Sequence, residues 1–158
     1  MFSLHGYTST ALTNMSYTGF MKQADINDFV VIYPQGLVHE TKGGTHWNTD
    51  EIGPGNSVNS IEFLESVLDW VGQNYNIDLN RFYSAGMSNG GFMSYHLACN
   101  ITSKISAIAS VTGSMSVFSY DNCNAQPTSV MQIHGSVDTV VPYDGTVSAS
   151  GVGFKAIE

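Results

Sequence analysis

Short apolar runs alternate along the chain with stretches of helical period. Phe2 to His5 is stopped by Gly6 and Phe29 to Tyr33 by Pro34; Phe82 to Ala85, Ile105 to Val111 and Val130 to His134 complete a set of five. Apolar residues on consecutive positions, ended by turn formers, are the pattern of strands covered on both faces. Between the first two runs, Tyr17, Phe20, Met21 and Ala24 recur at helical spacing. Before the third, Val58, Ile61, Leu64, Leu68 and Val71 do so more clearly, with Glu62, Glu65 and Asp69 on the opposite face. Asn89 to Cys99 follows the third run directly and predicts another helix, opened by small residues. Alternation of this kind implies right-handed crossovers, a mostly parallel sheet flanked by helices, and ligands bound beyond the carboxyl ends of the strands. Two stretches, Gln35 to Ser57 and Gly113 to Thr128, lack a period. Loops this long inside a compact domain are usually functional or hide an unrecognised element, and the first is expected to wall a site.

At 158 residues, with 42% hydrophobic and 11% aromatic side chains, the chain has material for one packed domain, residues 1–158. Thirteen acidic residues against five basic ones give a net charge of −8, which phosphate backbones and anionic lipid repel, so nucleic acid and membrane are not expected partners. Only 11% of residues are charged, where about a quarter is usual, so surface polarity comes from Ser, Thr, Asn, Gln and Gly; this balance is commoner outside cells. No stretch reaches the roughly 18 apolar residues of a membrane span, and the first residues show no secretory signal. The chain reads as cut at both ends: it opens inside a strand, and Val147 to Glu158 stops without a closing one. Cys99 and Cys123 are the only cysteines and lack metal-ligand spacing, so no metal is expected.

The sharpest chemical signal is Gly86-Met87-Ser88-Asn89-Gly90-Gly91, a G-x-S-x-G pattern between a strand and a helix. On such a turn the glycines relieve crowding and the Ser88 hydroxyl projects above the sheet at the positive end of a helix as a nucleophile, the alternative being a serine N-cap within an ordinary Gly-rich turn. A serine needs a base to take its proton and donors to receive an oxyanion. Leu4-His5-Gly6-Tyr7 ends the first strand, so the Tyr7 and Asn89 amides are the candidate donors. His5 itself reads as a residue packed under the turn and bonded to backbone. Asp138, in His134-Gly135-Ser136-Val137-Asp138, lies on the loop after the last clear strand and is the candidate acid that orients an imidazole, with a turn aspartate capping its own backbone as the alternative. The base is harder to find. Of His5, His39, His46, His96 and His134, none follows Asp138; His96 falls far along a helix, and His39 and His46 fall in the long loop, where a surface position is the default. The triad histidine is therefore expected on sequence outside this chain, leaving the 158 residues alone inactive.

These motifs, with Tyr33-Pro34-Gln35-Gly36, Trp47-Asn48, Tyr75 to Arg81, Ile108 to Gly113 and His134 to Tyr143, make the chain resemble the alpha/beta-hydrolase superfamily. More narrowly it resembles the poly(3-hydroxybutyrate) depolymerase and feruloyl esterase-like group of carbohydrate esterases. The resemblance implies a serine esterase with Ser88 as nucleophile, Asp138 as triad acid and a histidine farther on. It also implies esters of hydroxyalkanoates or plant-wall phenolic acids as substrates, no metal or organic cofactor, and frequent secretion. It departs from the group at Val58-Asn59-Ser60-Ile61, where paired aspartates are common. Trp47 and Tyr143 are candidates to line an acyl or leaving-group pocket, with core or loop packing as the alternative; Met87 and Phe92 read as core. In a parallel sheet Cys99 and Cys123 both fall at the edge away from the site, so a disulfide is geometrically possible, with two buried thiols as the alternative. A peptidase or thioesterase using the same triad, and a non-catalytic binding module on this scaffold, are the rival functions.

Overall fold

A computed structural model describes residues 1–49, 57–124, 126–147 and 153–154. Strand β1 (Phe2–Leu4) leads into helices α1 (Ala11–Thr18) and α2 (Phe20–Asn27); a hairpin of β2 (Leu37–Val38) and β3 (Thr45–His46) precedes helix α3 (Ser60–Asn74). Then come β4 (Tyr83–Met87), α4 (Asn89–Asn100), β5 (Ala107–Val111), the short α5 (Val117–Asp121), β6 (Ser129–Ile133), and a small antiparallel ladder of β7 (Thr146–Val147) with β8 (Gly153–Phe154). The main sheet has the order β1-β4-β5-β6 and is parallel throughout. Its register aligns Leu4 with Gly86, Gly86 with Ser110, and Ser110 with Gln132. All four strands therefore end on one rim, followed by His5, Ser88, Thr112 and His134 in turn.

Four of the five apolar runs are strands of this sheet. The second, Phe29 to Tyr33, contributes a single bridge from Ile32 to Phe2, held by Ser3 N–H to Ile32 O and Ile32 N–H to Met1 O, each at 2.9 Å. Asp28 in the left-handed region on one side and Pro34 on the other leave little chain for a longer ladder.

Local chemistry fixes the helix ends. The predicted segment around Tyr17 to Ala24 is two helices, because Gly19 (φ 68°) closes α1 and opens α2. Asn59 caps α3, its side chain accepting from the Ile61 and Glu62 amides, so the position where the resembling group often carries aspartates still does the work of an N-cap. Leu64 and Leu68 of α3 meet Phe2, Leu4, Phe82, Met93, Leu97 and Ile108 in one core cluster, with Phe2 edge-on to Phe82 at 4.8 Å.

The sheet is not covered equally on its two faces. Ser84, Ile108 and Ser110 are buried, whereas Tyr83, Met87, Met131 and Ile133, on the alternate positions of β4 and β6, are exposed. Met87, expected in the core, belongs to that open face; Phe92, inside α4, is buried.

Candidate active site

The turn from β4 to α4 carries the site. Ser88 sits there at φ 52° and ψ −122°, a conformation that side chains rarely adopt, and its N–H is held by Val111 O at 2.9 Å. Two flanking glycines are required by space. A Cβ on Gly86 would stand 2.2 Å from Gly90 O, and one on Gly90 would stand 2.3 Å from Leu4 O. The helix thus starts directly on the end of the sheet, and the first amides of α4 gather around residue 88.

The end of β1 lies against this turn. A Cβ placed on Gly6 would be 3.6 Å from Ser88 Cβ, so the Gly6–Tyr7 peptide adjoins the serine. No acceptor among the described residues takes the Tyr7 N–H. The neighbouring Thr8 amide is bonded to Thr45 O at 2.8 Å, and the Tyr7 hydroxyl donates to Gly43 O at 2.6 Å, so the β2–β3 hairpin holds this strand end in place. Thr8 (φ 65°) and Thr112 (φ 52°), the latter just past β5, share the positive φ of Ser88. Strained residues thus follow three of the four strand ends at this rim.

Asn89 is buried, and its side chain does something the sequence does not signal. Its Oδ1 accepts the Trp47 N–H at 2.7 Å, while its Nδ2 donates to Trp47 O at 3.1 Å and Thr49 Oγ1 at 2.9 Å. Trp47, 1% exposed, in turn gives its indole N–H to His5 O at 2.9 Å and packs its ring 5.0 Å from that of His5. With Leu37, Val58 and Phe63 it lines a cavity of about 110 Å³ that neither Ser88 nor Asp138 lines. A partner 42 positions away leaves no local pattern, which is why only coordinates reveal this clamp.

Asp138 follows β6, two strands from Ser88, a step of roughly 10 Å at ordinary strand spacing. Its Oδ1 accepts from the Val140 N–H at 2.8 Å and the Val141 N–H at 3.0 Å. Those two amide bonds, Val141's foremost, hold its pKa below the ordinary carboxylate value, with nearby His134 adding to the effect against desolvation. Oδ2 lies 3.6 Å from His134 Nε2, which donates to Val141 O at 2.7 Å, while Gln132 Nε2 donates to His134 Nδ1 at 2.9 Å. Tyr143, partly exposed, stands edge-on to the His134 ring at 5.9 Å.

Every histidine of the chain has other partners than Ser88. His134 is placed as above, and His96 Nδ1 lies 3.3 Å from Ser119 Oγ on the flank of α4. His39 and His46, expected at the surface, are buried with rings 4.9 Å apart; His39 Nδ1 takes the Thr41 and Lys42 amides, and His46 meets Leu37 O and Asn48 Oδ1. No three His, Cys, Asp or Glu side chains among the described residues converge as metal ligands, and no described helix is long and apolar enough to cross a membrane. Far from the serine, Cys99 and Cys123 are joined in a disulfide that ties the end of α4 to the segment after α5.

The family model described as esterase PHB depolymerase matches residues 1–156. A bifunctional acetylxylan esterase/xylanase of Neocallimastix patriciarum is 32% identical over 143 residues, covering 90% of this chain and 20% of the relative. A probable feruloyl esterase C of Aspergillus niger is 31% identical over 87 residues, 55% of this chain and 32% of its own length. The chain therefore spans a fifth to a third of these relatives. The crystal structure of a Bacillus cereus carboxylesterase superposes with a TM-score of 0.63 at 18% identity, covering 90% of this chain and 67% of that one. The fold is that of the alpha/beta hydrolases.

Proposed function

The chain belongs to the PHB depolymerase esterase family, and from that premise we propose that it is the nucleophile-bearing part of a serine carboxylesterase acting on polyester, phenolic or carbohydrate esters. The observation that carries the reading is the Ser88 turn: a positive-φ serine between strand and helix, pressed by glycines on both sides, with the end of β1 beside it. Ser88 Oγ attacks the ester carbonyl carbon and the carbonyl oxygen becomes an oxyanion held by the Tyr7 and Asn89 amides. Collapse of that adduct expels the alcohol and leaves an acyl-serine, which water then hydrolyses. Asp138 orients and charge-stabilises a histidine that takes the serine proton and returns it to the leaving group. That histidine comes from sequence outside these 158 residues, because the five within them are engaged elsewhere. The scheme calls for no metal or organic cofactor.

The names of the relatives point to acetylxylan and to feruloyl esters. Export from the cell fits the disulfide and the sparsely charged surface. A panel of p-nitrophenyl acetate, acetylated xylan, methyl ferulate and a 3-hydroxybutyrate oligomer, given to the full-length protein, tests the reading. Hydrolysis of at least one ester is expected. Failure on the whole panel, or turnover confined to amides or thioesters, contradicts it.

A further inference from the structure

We propose that His5 is a positioning residue for the oxyanion donor, its imidazole fixing the plane of the Gly6–Tyr7 peptide so that the Tyr7 N–H faces the reacting carbonyl oxygen. This rests on Ser88 and Tyr7 having the roles given above.

The geometry is set by a buried ring with both nitrogens occupied. His5 is wholly buried. The Gly36 N–H points at its Nε2 from 3.0 Å, and Gln35 Nε2 lies 3.3 Å from the same atom. A backbone N–H only donates, so Nε2 accepts, the proton sits on Nδ1, and Nδ1–H donates to Gly6 O at 2.8 Å. Burial, the largest influence on this ring, pushes its pKa below the ordinary histidine value, with nearby His46 adding to that and the Gly6 bond opposing it, so burial favours the neutral ring whose tautomer the Gly36 bond sets.

Gly6 O and the Tyr7 N–H are opposite poles of one rigid peptide plane. A bond that fixes the oxygen on the core side fixes the hydrogen on the other. Gly6 benefits from such a restraint: a Cβ there would stand 3.3 Å from Met87 O and 3.6 Å from Ser88 Cβ, so the turn packs closely, and glycine leaves that plane freer to rotate than any other residue would. Ser9 N–H reaches Gly6 O more distantly, at 3.2 Å, and steadies it from the solvent side of the turn. One peptide earlier, the Trp47 indole holds His5 O. Trp47 is itself gripped by the Asn89 side chain, so the two peptides that offer oxyanion donors are joined through one buried hydrogen-bond chain.

The test compares His5→Asn, His5→Gln and His5→Leu in the full-length protein, with Ser88→Ala alongside. Asn places an amide N–H where Nδ1 stands and retains the bond to Gly6 O; Gln places it near Nε2 and does not. His5→Asn is expected to keep kcat within about fivefold, while His5→Gln and His5→Leu lose roughly 10–100-fold in kcat with KM changed less than about twofold, since one donor of this type is worth about 10²–10³ in rate. Inhibition by a trifluoromethyl ketone, which presents an oxyanion, should weaken in parallel with kcat. Equal kcat for the Asn and Gln variants, or a loss that merely follows the fraction of protein folded, overturns the proposal even if His5→Leu does not fold. If Ser88→Ala retains activity, the failure lies in the underlying assignment of the site rather than in His5.

Discussion

Ser88 and Asp138 show how differently a single residue can be written into a sequence. The serine is announced by its neighbours: Gly86 and Gly90 each have backbone within 2.4 Å of where a Cβ would be, so the spacing of the motif records a steric necessity. Asp138 is announced only by its place after a strand, and the bonds that define it are to Val140 and Val141 backbone. Those bonds give a prediction with a definite sign. Because its folded pKa is depressed, the carboxylate stabilises the fold above its unfolded pKa of about 3.9 and that contribution is lost as pH falls through the lower folded value. Urea unfolding should show Asp138→Asn less stable than wild type at neutral pH and the gap closing in acid below about pH 4. A gap independent of pH would mean that the charge on residue 138 is not what the two amides recognise. Trp47 and Asn89 were legible only in part. The sequence marks both as neighbours of the chemistry, yet the clamp between them joins positions 42 apart and depends on a hairpin folding over the strand ends.

At the scale of elements, apolar runs located four strands of the sheet and helical spacing located α3, because those segments bury a face whose period survives in the sequence, while α4 was legible from its small opening residues directly after the third run. Where burial is slight the pattern misleads. Phe29 to Tyr33 is as apolar as its fellows but pairs through Ile32 alone, and the run before it breaks at Gly19. The open face of β4 and β6 is likewise invisible in composition, since Met87, Met131 and Ile133 are as apolar as covered residues. Helix α4 carries the proposed nucleophile, Ser88, as its N-cap and the disulfide in its last turn. The bridge lies at the far end from the chemistry, so stability and activity should separate. Replacing both Cys99 and Cys123 by Ser is expected to cost about 2–4 kcal/mol, some 5–15 °C in Tm, while kcat measured well below the transition stays within about twofold. A large fall in kcat at that temperature would show that the bridge controls the geometry of the Ser88 turn.

For the whole molecule, the parallel main sheet puts its four strand ends on one rim, and the candidate site is what that rim brings together: the Gly6–Tyr7 peptide after β1, Ser88 after β4, Asp138 after β6. The proposed mechanism does not depend on which ester is cleaved, but it does depend on Ser88 becoming acylated. The direct measurement is reaction of the full-length protein with a fluorophosphonate, followed by mass mapping of the adduct and by p-nitrophenyl acetate turnover in Ser88→Ala. One equivalent bound at Ser88, with activity in the variant reduced by at least about 10³-fold, is the predicted result. An adduct on another residue, or unimpaired turnover in Ser88→Ala, would contradict the account.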